Sequence, residues 1–90
     1  MKVDYDFLES NYSQVREQVI NRIEKDHHLS HDKAIAIVDY ENSTILGEVE
    51  HNQVKSYMEQ DLQFGRPFNI QLMADMLICN DEGRYQLDIK

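Results

Sequence analysis

The sequence predicts a small α+β domain: helix, β-hairpin, helix, β-hairpin, with an antiparallel sheet covered on one face by the helices. Three observations predict it. Residues 6–27 carry an apolar stripe at helical spacing, and residues 52–63 carry another. From Phe68 to Ile89 apolar residues fall on alternate positions, break at Asn80-Asp81-Glu82-Gly83, and then alternate again, as two strands joined by a turn would. The alternative is a mostly helical chain that keeps only the C-terminal hairpin. Ninety residues suit one domain, 1–90.

The first helix is expected from about Asp6 to about His27. Leu8, Tyr12, Val15, Val19 and Ile23 trace one stripe on a 3.6-residue period, widened by Phe7 and Ile20. Asp6 reads as the N-cap, with Glu9 three residues on completing a capping box. At about 1.5 Å per residue the helix spans roughly 30 Å, enough to cover a small sheet.

Residues 33–50 fit two patterns. Ala34-Ile35-Ala36-Ile37-Val38 is continuously apolar and β-branched, which favours a strand. Asn42-Ser43 would then turn the chain into residues 44–49, with Tyr40 against Ile45 and Ala36 against Val49. Read instead as a helix, Ser30 is the cap and Ala34, Ile37, Val38 and Ile45 form a stripe that Glu41 interrupts.

The next helix is expected from about Asn52 to Gln63, with Val54, Tyr57, Met58 and Leu62 apolar. Gly65 suits the position after the helix end, and Pro67 is a stop signal. In the closing hairpin a four-residue loop, 80–83, sets Ile78 opposite Tyr85, Met76 opposite Leu87 and Ala74 opposite Ile89. A slip of one residue would move that apolar set to the other face. The same register places Asp75 directly opposite Asp88, flanked by Met73 and Leu77. Apolar residues around opposed carboxylates predict an outer face covered by a partner, such as a second subunit.

The formal charge is −8, from nine Lys and Arg against seventeen Asp and Glu. Residues 33–65 are the acidic centre, with two basic and six acidic side chains. Phosphate-neutralising affinity for nucleic acid and attraction to anionic membranes both need the opposite sign. A basic protein surface is the complementary partner. The lone Cys79 excludes an internal disulfide, and no apolar targeting run is evident, so a cytoplasmic setting is expected.

No glycine-rich phosphate loop or catalytic spacing stands out, and no cofactor is implied. The one local cluster is Asp26-His27-His28-Leu29-Ser30-His31-Asp32. His27 and His31 are four apart and His28 and His31 three apart, spacings at which imidazoles can share a metal. The zinc-hydrolase pattern would need glutamate where His28 stands, and Ser30 would break the helix between the ligands. The histidines also suit a helix C-terminus or a pH response.

The leading expectation is a non-enzymatic acidic module, a regulator, inhibitor or accessory protein that binds a basic protein surface or self-associates. Its partner-binding residues would be Asp39, Glu41, Glu48, Glu50, Glu59, Asp61, Asp75 and Asp88. A metal-binding or pH-sensing protein using His27, His28 and His31, with His51 as a further ligand, is the second reading. A winged-helix-like DNA binder, with the closing hairpin as its wing, is the third.

Overall fold

The computed structural model describes residues 3–40 and 52–89, with side chains as far as residue 81. It is all-helical: α1 is Tyr5–His27, α2 is His31–Val38, α3 is Gln53–Gln63 and α4 is Ile70–Ile89. No strand occurs among the described residues. The predicted α+β class, with its antiparallel sheet and both hairpins, is therefore wrong. The alternative that kept a C-terminal hairpin fails as well.

α1 follows its predicted stripe. Leu8, Val15, Val19, Ile20 and Ile23 are buried. The cap is Asp4 rather than Asp6: its side chain accepts from the Phe7 N–H at 3.0 Å, which places Asp6 in the first turn beside the positive end of the helix. The helix ends at His28, whose φ of 54° lies in the left-handed region that stops a helix at some steric cost to a residue with a Cβ.

α2 forms where a strand was favoured, on the alternative helical reading of residues 33–38. Ser30 caps it, accepting from the Lys33 N–H at 3.2 Å, and Asp32 sits in its first turn. Ala34, Ile37 and Val38 share one buried face at i, i+3, i+4. The β-branched density that favoured a strand is a weak preference, and burial of this stripe against α1 overrides it. The second half of that expected hairpin, residues 41–50, lies outside the described residues.

α4 is the larger correction. Asn69 starts it, accepting the Leu72 N–H on its side chain and the Met73 N–H on its carbonyl, both at 3.0 Å. Ile70, Met73, Ala74, Leu77 and Ile78 then follow i, i+3, i+4, i+7, i+8. Eight of residues 70–79 are apolar, so periods of two and of 3.6 both fit. Leu, Met, Ala and Gln dominate the segment and favour the helix. The consequence is an inversion. Met73 and Leu77, expected on the outer face, are buried, whereas Met76, expected in the core, is 41% exposed and Leu72, one turn before it, 52%. Asp75 and Asp88 cannot be opposed across a ladder, since thirteen residues of one helix separate them by about 20 Å. The expected turn, 80–83, is helical.

α1 packs against each of the other helices. One cluster joins its stripe to Ala34, Ile37 and Val38 of α2, Val54 and Met58 of α3, and Met73, Ala74, Leu77 and Ile78 of α4. Each large aliphatic side chain fully buried there contributes roughly 1.5–3 kcal/mol. Phe7 and Phe68, with ring centroids 6.2 Å apart, tie the segment before α4 to the start of α1.

Candidate functional site

The corner between α3 and α4 is built by its sequence. Past the α3 C-cap at Phe64, Gly65 takes φ 68°, which only glycine adopts without penalty. The Gly65 N–H reaches the Leu62 carbonyl at 3.2 Å, and the Arg66 N–H reaches that of Asp61 at 2.8 Å, closing a Schellman motif. Asp61 is the hub. Its carboxylate lies 3.2 Å from the Arg66 guanidinium and accepts from the Asn69 backbone. Burial pushes the Asp61 carboxyl above its ordinary value of 3.8, outweighing the pull of Arg66 and of the Asn69 N–H toward lower pH. The guanidinium also sits 5.1 Å from the ring of Phe64, a cation–π contact.

This corner opens a groove of about 210 Å³ between the two helices. Tyr57 and Gln60 of α3 form one wall. Leu72, Met73 and Met76 of α4 form the other, and Asp61, Arg66 and Asn69 close the end. Asn80 braces the walls by donating to the Tyr57 hydroxyl at 2.9 Å and to the Gln53 side-chain Oε1 at 3.0 Å. Among the described residues the lining holds one carboxylate, already engaged, and neither a cysteine nor a histidine. Its chemistry is that of a receptacle for an apolar group with one charge pair at its rim.

Of the acidic residues expected to bind a partner, Asp61 lines this groove. Asp75 is exposed beside Met76 and accepts from Gln71 at 3.0 Å. Asp39 faces α1: Arg16 grips it with two bonds, Nε to Oδ1 at 2.8 Å and Nη2 to Oδ2 at 2.7 Å. That carboxylate holds the Arg16 guanidinium above its ordinary range. Glu59 is buried at 1% exposure and accepts from the Tyr5 hydroxyl at 2.5 Å. Glu41, Glu48 and Glu50 lie outside the described residues, as does the side chain of Asp88. The acidic set is thus not one surface among the residues described.

The histidines are drawn apart. His27 and His28 are exposed at the end of α1, whereas His31 opens α2 and meets Glu24 at 2.8 Å. That contact raises the His31 pKa above 6.5. Among the described residues no group of three or more His, Cys, Asp or Glu is placed to hold a metal ion, and His51 lies outside them. The wing required by the DNA-binding reading is part of α4. Among the described residues no helix is long and apolar enough to cross a membrane.

Sequence reading missed Leu72 and Met76 because it followed alternation, which put Met76 in the core. Helical numbering exposes them: they are four apart and fall outside the 70, 73, 74, 77, 78 stripe. Compared with known protein families, curated proteins and solved structures, the chain finds no match.

Proposed function

We propose that this chain is a non-enzymatic interaction module that binds a basic protein surface by seating one apolar side chain of the partner in the α3–α4 groove. The observation that carries the reading is the exposure of Leu72 and Met76, 52% and 41%, along that groove on a chain of charge −8. Exposed apolar walls around a formed concavity are the usual anchor of a protein interface. At about 210 Å³ the space falls below the roughly 300–1,000 Å³ typical of small-molecule sites, and suits one large side chain.

Charge selects the partner. A second copy would bring another −8 and be repelled, whereas a cationic segment is steered in. Asp61 and Asp75 beside the groove supply the nearest acidic groups. The reading places the protein in the cytoplasm, supported by the free, exposed thiol of Cys79.

The test is affinity capture at low and high salt with the native chain and with Leu72→Asp/Met76→Asp. The partner should be retained by the native chain, weaken at high salt and be lost with the variant. Equal capture by both chains overturns the groove, and capture indifferent to salt overturns the charge argument. Light scattering of the isolated chain should give a monomer.

A further inference from the structure

Six of the nine Lys and Arg have described side chains. Four are ion-paired: Arg16 with Asp39, Lys33 with Asp81, Lys55 with Glu9 and Arg66 with Asp61. On a chain with seventeen carboxylates this is expected. Arg22 and Lys25 are the exceptions, with no ion-pair partner among the described residues. Both line the same second groove, about 310 Å³, on the outer face of α1 where Ile70 begins α4. Among the described residues Gln18 and Asn21 line it as well.

Arg22 and Lys25 are three residues apart on one helix, so their like charges are neighbours and repel. Asp26, one turn beyond Arg22, would be the natural relief. Its carboxylate instead accepts from Gln71 at 3.0 Å, the same amide that bonds Asp75. The two cations thus stay available on an acidic molecule, and the amides beside them can donate N–H groups to further oxygens.

We propose that this groove binds a small phosphorylated ligand. A phosphomonoester carries about −1.5 to −2 at pH 7, which matches two cations, and its three oxygens can share the guanidinium fork, the ammonium and the amides. A volume of about 310 Å³ admits a phosphate with a small organic group. The surrounding −8 excludes polyanions such as nucleic acid, whose many charges would meet the acidic remainder of the surface. The proposal is independent of the α3–α4 groove, which lies on other residues.

Backbone amide NMR of the full chain, titrated with inorganic phosphate against chloride at matched ionic strength, tests it. Saturable shifts should concentrate at residues 18–25 and 70 in phosphate and not in chloride. The double variant Arg22→Gln/Lys25→Gln should lose them. Ser13→Glu/Gln63→Glu lowers the charge by the same two units at exposed positions away from the groove, and should keep them. Shifts that are equal in both salts, or that survive in Arg22→Gln/Lys25→Gln, overturn the proposal. So does loss of the response in both variants, because net charge alone would then account for it.

Discussion

Truncating adjacent residues of α4 separates the helix from the strand that the alternating pattern suggests. Leu77 has no exposed surface and sits in the core cluster, whereas its neighbour Met76 is 41% exposed. Leu77→Ala removes a fully buried side chain and leaves a cavity, a loss of about 2–5 kcal/mol. A chain of ninety residues has a stability of roughly 5–13 kcal/mol. The substitution therefore consumes a large share of it. At about 2.1 cal/mol/K per residue the unfolding entropy near 60 °C is roughly 190 cal/mol/K, so Tm should fall by about 10–25 °C. Met76→Ala removes atoms that solvent already reaches and introduces the best helix former, so its cost should stay below about 1 kcal/mol. Urea unfolding followed by far-UV circular dichroism measures both. A strand reverses the order, since it buries Met76 and turns Leu77 outward. Met76→Ala proving costlier than Leu77→Ala would refute the reasoning.

Asn69→Ala should destabilise by about 1 kcal/mol, read from the urea midpoint, because the Leu72 N–H loses its side-chain acceptor. Glu24→Gln should bring His31 back toward 6.5 in an NMR titration. Because the folded His31 pKa is raised, the stabilisation from this pair is present below the ordinary histidine pKa and lost as pH rises through the folded value. The native chain should accordingly exceed Glu24→Gln in stability more at about pH 5.5 than at about pH 8.5. A constant difference would count against the pair.

The parts of the fold legible in the sequence are those where one period fitted alone. α1 shows five apolar residues at helical steps among polar ones. α3 has Asn52 before it as N-cap and Gly65 just past its C-cap, in the left-handed turn that ends it. α4 was misread because residues 70–79 are apolar enough to satisfy either template, and the alternating one was matched to a turn at 80–83 that does not form. Asn69 was the decisive signal: a capping residue just after Pro67 opens a helix. α2 was misread for a related reason, since five consecutive apolar residues carry no period and β-branching was left to decide. The site inherited these errors. Asp61 was identified by its charge, but Met76 was assigned to the core and Leu72 was not singled out.

A further buried feature bears on the proposed function, and it rests on α3. Among its buried residues only Val54 and Met58 are apolar. Gln53, Ser56 and Glu59 are buried as well, and Gln53 Nε2, Ser56 Oγ and Glu59 Oε1 find no hydrogen-bond partner among the described residues. Leaving such an atom without a partner costs about 1–3 kcal/mol. Much of what fastens α3 is polar and directional: Tyr5 to Glu59, Asn52 to Tyr12 at 2.9 Å, Lys55 to Glu9 at 3.0 Å, and Asn80 to Gln53. Such a seam fixes register but adds little net stability. Glu59→Met should therefore stabilise the chain or leave it unchanged. It removes the unpartnered Oε1, and the lost Tyr5 bond to a carboxylate, worth about 1.5–3 kcal/mol, is partly replaced by water at that half-buried hydroxyl. A fall of more than about 1 kcal/mol in urea unfolding would mean that Glu59 is a net anchor. If the expected result holds, the polar seam is retained at the expense of stability, which suits the adjustable groove wall that the proposed function calls for.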